Sequence, residues 1–418
     1  MKLYNTLSGQ IDPFQPAGPL VTLYVCGITP YDTTHLGHAF TYTSVDILIR
    51  YLESRGSEIR YVQNVTDLDD DILKKAKQVN EDWRALGNRW TRHYIEDMQA
   101  LNVRPPDLYP RATDVIPDII LTVTQLLGVG VAYAVNGSVY FSVDAWNEFG
   151  KLCNIGRPDM LPLANERGNH PDDPQKRDPL DFVLWQAQAP GEPAWDSPWG
   201  PGRPGWHIEC STMATRFLGK TVDIHSGGMD LCFPHHECEI AQVEPITGEQ
   251  PFVRTWMHIA MVRHEGEKMS KSLGNLVMVR DLMKVYPPDG IRLYLAGNHY
   301  RTPWAYDVRG LEKAVVLADK LAQASFVAGG KTDPISPEPS AAAFTAAMDD
   351  DLNTPQALNV LESLADQILS AAQAGRQISD AQAMLRTYAT VFGLRLDQPQ
   401  PEERVIQGWR AHAQKFGA

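Results

Sequence analysis

An apolar run from Val21 to Val25 reads as a buried strand, and a helical period of apolar positions follows from about Thr41 to Ser54. Strand-like and helical runs alternate through residues 20 to 65, which predicts a parallel sheet with crossover helices. Residues 66 to about 195 interrupt the alternation. They open with helical patterns, Asp70 to Gln78 and Trp90 to Leu101, and end in a loop-rich stretch from Pro158 to Asp178, predicting an insertion between the sheet's halves. Strand and helix signals resume near Gly205 and end at the strand-like Leu276 to Val279. Beyond residue 280 the pattern is helical. Val327 to Ser340, rich in Gly and Pro, reads as a linker, and Ala341 to Leu394 as a small helical bundle containing the capping-like Asn353-Thr354-Pro355.

The 418 residues can hold two or three domains, and 43% hydrophobic residues with ten tryptophans can fill sizeable cores. The formal charge of -13 does not advertise a polyanion binder, so nucleic-acid contact requires a local patch. No apolar stretch approaches eighteen residues and the start lacks the segments of a signal peptide, so a soluble cytoplasmic protein with no membrane contact is expected. Five cysteines, an odd number without a secreted framework, predict reduced thiols or metal ligands rather than bridges.

Two short motifs carry the chemistry. His35-Leu36-Gly37-His38 falls at a strand-to-helix turn, where free N–H groups and the helix dipole favour a polyphosphate, and Gly37 lets a nucleotide approach the backbone. Lys268-Met269-Ser270-Lys271-Ser272 sits in a Gly/Ser-flanked loop of the kind that closes over phosphates. Taken singly, the first motif is a turn with solvated histidines and the second a solvated basic loop. Together they suit a reaction in which a carboxylate attacks the α-phosphate of ATP and pyrophosphate leaves. The acidic runs Asp69-Asp70-Asp71 and Asp349-Asp350-Asp351 read as caps and solvated charge.

The pair resembles the nucleotide signatures of class I aminoacyl-tRNA synthetases. Tyr24-Val25-Cys26-Gly27, Asn64-Val65-Thr66-Asp67, Lys176-Arg177-Asp178-Pro179-Leu180-Asp181, Gly205-Trp206-His207-Ile208-Glu209-Cys210 and Phe233-Pro234-His235-His236-Glu237 narrow it to the cysteinyl-tRNA synthetases and their relative, the mycothiol cysteine ligase. This resemblance implies a Rossmann-like α/β catalytic domain with a central insertion, followed by an α-helical C-terminal region. It divides the chain into residues 1–65 and 196–280 (catalytic), 66–195 (insertion), 281–335 (stem contact), 336–396 (helical bundle) and 397–418 (short tail). It implies His35, His38, Lys268 and Lys271 as catalytic, with Thr29, Gly37 and Ser270 joining them around ATP and its Mg2+. Cys26, Cys210, His235 and Glu239 match zinc ligands. Spacing alone does not make them a zinc signature, since buried structural cysteines and a satisfied histidine account for the same residues. Direct ligation of zinc would select a cysteine thiolate over a serine hydroxyl without editing. Gly27, Thr66, Trp206, His225 and Asp230 match positions around the bound cysteine, with Asp230 on its amino group. Cys238 stands where the family usually has asparagine, and could compete with Glu239 for zinc.

The acceptor of the activated cysteine is divided between two readings. His38 and Cys26-Gly27-Ile28-Thr29-Pro30-Tyr31-Asp32 look like the mycothiol ligase, as does a short end with only about 22 residues after Leu396 and no anticodon-contacting region. From Tyr306 to Ala418, 14 acidic residues outnumber 10 basic ones, so no basic stripe compensates. Glu239 and the run Met348 to Pro355 look like the synthetase. A monomer that charges tRNA(Cys) ranks first, amide transfer of cysteine to glucosaminyl-inositol second, and a non-catalytic sensor of cysteine or nucleotide a remote third.

Overall fold

The computed structural model describes residues 1–32, 34–264, 266–269 and 274–417, with the backbone alone for Glu267 and Lys268. Four parallel strands form its central sheet, in the order Val253–Ile259, Val222–Gly228, Leu20–Ile28, Glu58–Val65. Alternation along Leu20–Ile28 sends Leu23 and Val25 into one apolar core and Tyr24 and Cys26 into the other, so both faces are covered, as parallel sheets require. Helices Leu36–Ser54 and Glu237–Thr247 make the crossovers. The carboxyl ends of all four strands therefore open on one edge.

Residues 66–201 lie between the two pairs of strands in the chain. They contain helices Asp70–Val79, Trp83–Ala100 and Ile116–Gly128 and most of an antiparallel sheet ordered Ala132–Val135, Ser138–Phe141, Phe182–Ala187, Gly202–Pro204. The stretch from Pro158 to Asp178, expected as loop, holds part of a helix, Arg157–Asn165. Pro158 sits in that helix's first turn, where its missing N–H costs nothing. Leu276 to Val279, expected as a strand, instead pairs with the turn at His35, and Val279 begins a helix. Helices Val308–Phe326, Glu338–Asp349, Thr354–Gln373 and Ser379–Val391 follow. Asn353 caps the third of these by accepting from Gln356 N at 3.2 Å. Residues 403–413 form a further helix whose Trp409 is fully buried.

The expectation that no cysteines are bridged is corrected at one pair. Cys153 and Cys232, 79 residues apart in sequence, are joined by a disulfide, because the fold brings their Cα atoms to 6.2 Å. Cys26, Cys210 and Cys238 are free and buried. Of the acidic runs, Asp69 caps its helix as expected, but Asp351 is buried and bound by Tyr4 N, Tyr300 OH and Arg301 Nε. No described helix is long and apolar enough to cross a membrane.

Candidate active site

A cleft of about 1040 Å³ opens at the carboxyl edge of the parallel sheet. Cys26, Gly27, Thr29, His35, Gly37, His38, Thr66, Trp206, Cys210, Asp230 and His235 all line it. Residues from both halves of the sheet thus meet on one wall, as the motif order predicts. Lys271 and Ser270 lie outside the described residues. Lys268 is placed by its backbone, in a short strand paired with Val262–His264.

The first motif begins helix Leu36–Ser54. His35 is its N-cap, Nδ1 accepting the Gly37 N–H at 3.1 Å, and its ring stacks on His38 with centroids 3.8 Å apart. A Cβ on Gly37 would approach the His35 ring to 2.9 Å, so glycine is what lets the imidazole fold over the helix end. The two rings face the cleft together. On the opposite side Gly27 N donates to Asn64 Oδ1 at 2.7 Å, and Asn64 Nδ2 donates to Thr66 Oγ1 at 3.1 Å. Asp230, in the turn after strand Val222–Gly228, forms an ion pair of 3.2 Å with Arg167 of the insertion.

Cys26, Cys210, His235 and Glu239 offer ligand atoms that all lie within 4.8 Å of one another, and all four residues are buried. Cys26 comes from the first strand, Cys210 from helix Trp206–Leu218, His235 from the turn of π-helix at 232–236, and Glu239 from the first turn of the following α-helix. The Cys26 and Cys210 sulfurs are 3.9 Å apart, Cys26 Sγ is 3.8 Å from Glu239 Oε1, and His235 Nε2 is 3.3 Å from the same oxygen. Two thiols, an imidazole and a carboxylate in an enclosed cluster are a donor set that fits zinc. Cys238 belongs to neither four-donor group among the described residues.

A model for tRNA synthetases class I (C) catalytic domain matches residues 13–316, and a DALR domain model matches residues 343–397. The chain belongs to the class I (C) tRNA synthetase family. A cysteine--tRNA ligase of Gloeobacter violaceus is 43% identical over 99% of this chain and 90% of its own length. One from Pelotomaculum thermopropionicum is 45% identical, covering 93% of this chain and 82% of the relative. In fold, the chain resembles Mycobacterium tuberculosis methionyl-tRNA synthetase in complex with methionyl-adenylate, with a TM-score of 0.62 at 15% identity over 95% of this chain and 93% of that one.

A second feature is a set of histidines around the cluster, of which His207 and His235 line the cleft. His225 Nε2 meets Glu239 Oε2 at 3.0 Å, His236 Nε2 lies 3.3 Å from Cys26 Sγ, and His236 Nδ1 meets His258 Nε2 at 2.8 Å. His207 Nδ1 meets His235 Nδ1 at 2.9 Å, orienting the imidazole, and the Trp206 ring stacks on His235 at 4.3 Å. Burial pushes His207, His225 and His258 down to about 3, and His235 and His236 also well below their ordinary value. All five are therefore neutral, the state in which a ring nitrogen can ligate a metal. Burial, and then neighbouring Cys210, drives the Cys26 thiol up, and burial raises the Glu239 carboxyl. A divalent cation reverses that preference, since it stabilises thiolate and carboxylate together.

Sequence reasoning missed His236 and His258. His236 was visible as half of a His-His pair, whereas His258 sits inside a strand with nothing to distinguish it.

Proposed function

We propose that this protein activates L-cysteine with ATP and transfers it to tRNA(Cys). The observation that carries the proposal is the Cys26, Cys210, His235 and Glu239 cluster, whose first three members line a cleft that also holds His35 and His38, in a chain at 43–45% identity to cysteine--tRNA ligases. Held by those four residues, zinc would supply a Lewis-acidic position that takes a thiolate and holds a hydroxyl weakly.

The chain's own residues do the rest. Trp206 packs over the side chain of the bound cysteine, and Asp230 takes its ammonium group in exchange for Arg167. Gly27 and Thr66, held by Asn64, shape the floor, while His225 braces Glu239 from behind. The substrate carboxylate then attacks the α-phosphate, and no protein nucleophile is needed. His35 and His38, with Lys268 and Lys271 on the facing loop, offset the charge that develops as pyrophosphate leaves, while Thr29, Gly37 and Ser270 hold the nucleotide with its Mg2+. The adenylate stays in the cleft until the terminal ribose of tRNA attacks it.

In this reading residues 1–65 and 196–280 are the activating body and 66–195 its insertion. Residues 281–335 meet the acceptor stem, 336–396 form the helical bundle, and 397–418 are a short tail. The enzyme works as a cytoplasmic monomer. Supplied with radiolabelled cysteine, ATP and either tRNA(Cys) or glucosaminyl-inositol, the zinc-loaded protein is expected to make cysteinyl-tRNA. Amide formation without tRNA charging would contradict the reading.

A further inference from the structure

The chain leaving the lysine-bearing loop returns along the first histidine motif. Leu36 N donates to Val277 O at 2.8 Å, Val279 N donates to Thr34 O at 3.1 Å, and His35 faces Met278 in an antiparallel bridge. The outgoing limb, Glu267–Lys268, is held separately by Val262–His264. Arg280 follows the returning limb at once. Its Nε donates to Asp97 Oδ1 at 2.7 Å, and its Nη2 donates to His93 O at 3.0 Å and to Glu96.

Asp97 lies on helix Trp83–Ala100 of the insertion, with its side chain 2% exposed. The ion pair thus joins an insertion helix to the limb returning from the lysine loop, whose Val277 and Val279 hold Leu36 and Thr34 through the backbone. Neither Arg280 nor Asp97 lines the cleft. Their effect on the reaction must pass through the segments that they hold.

We propose that Arg280 and Asp97 are positioning residues for ATP, anchoring the returning limb Val277–Val279 against the His35–His38 turn. The inference rests on the reading of that turn and the lysine loop as the ATP site. Charge stabilisation in phosphoryl transfer depends on groups placed before the reaction starts, so a shift of about 1 Å is costly. A guanidinium fork that meets a carboxylate and a carbonyl together fixes direction as well as distance, and an ammonium cannot do both.

The test is cysteine-dependent exchange between pyrophosphate and ATP, measured on the full chain and on Arg280→Ala, Arg280→Lys and Asp97→Asn. In Arg280→Ala, kcat/KM for ATP is expected to fall by about tenfold or more. KM for cysteine and bound zinc should stay unchanged, and Arg280→Lys should recover part of the loss. If Arg280→Ala does not fold, Arg280→Lys and Asp97→Asn are read by the same split between ATP and cysteine. An active parent with unaltered ATP parameters in the variants would overturn this inference alone, as would equal losses for ATP and cysteine accompanied by a lower melting temperature. No exchange in the unaltered protein would overturn the proposed function and this inference with it.

Discussion

At Gly27 one absent carbon sets the distance between two strands. A Cβ there would lie 1.6 Å from Asn64 O, so any other residue would push Leu20–Ile28 away from Glu58–Val65 at the floor of the cleft. The sequence shows the glycine and its motif but not the collision. Legibility at this scale follows chemistry: His35 and His38 stand out in a short motif and Cys26, Cys210 and His235 through the family resemblance, and all five line one cleft, whereas His258 depends on strand register and was not singled out. Asp69 was readable as a cap, and it accepts Asp71 N at 2.8 Å. Its burial, reinforced by Asp71 and Asp70, was not readable and pushes its carboxyl from 3.8 up to about 6. A carboxyl whose folded value lies above its unfolded value contributes stability that is complete below the unfolded value and lost as pH rises through the folded one. Asp69→Asn keeps a capping oxygen and removes the charge. It is expected to raise stability by on the order of 1 kcal/mol at pH 7.5 and to give no gain at pH 4, read from denaturant melts at both pH values. A gain of equal size at both would show that the buried charge is not the cause.

At the scale of elements, the parallel strands and their crossover helix were legible because apolar period and length agree for Val21 to Val25 and Thr41 to Ser54, which form the core of Leu20–Ile28 and Leu36–Ser54. Misreadings arose where local pattern and tertiary partner disagree. Leu276 to Val279 has the composition of a strand, but the partner waiting for it is the His35 turn rather than a sheet edge, so among the described residues two backbone bonds form before a helix begins. Arg157–Asn165 was hidden by its prolines, though Pro158 in the first turn favours a helix and only Pro162 opposes it. The metal-side helix shows the reverse case. A spacing of four would put His235 and Glu239 on one face of a continuous helix. His235 in fact precedes the α-helix, in a widened turn, and the two ligand atoms still come within 3.3 Å.

Across the whole molecule, the activating sheet and the C-terminal helices are joined by a buried ionic centre that no sequence window could reveal, because its members lie at positions 46, 50, 292 and 402. Asp46 accepts from Arg50 Nε at 3.0 Å, from Arg104 N at 2.8 Å and from Arg292, while Arg50 also reaches Glu402 at 2.6 Å. Arg292 continues to Phe392 O and Leu101 O. Burial alone would raise the Asp46 carboxyl, but Arg50 and Arg292 hold it below its ordinary value. Asp46→Ala leaves two buried guanidiniums without their shared anion and is expected to cost about 3–5 kcal/mol, measured by denaturant unfolding. A loss within about 0.5 kcal/mol would deny the centre its structural role. This centre lies on the same helix, Leu36–Ser54, that begins at the histidine motif, so the ionic tie and the histidine turn share one rigid element. Selection of cysteine at the other side of that cleft is the central claim, and it is tested most directly by pyrophosphate–ATP exchange with cysteine and with serine on the zinc-loaded protein. Exchange that depends on cysteine and discriminates against serine by roughly a thousandfold or more is the predicted result, and exchange equally supported by both amino acids, or by neither, would contradict it.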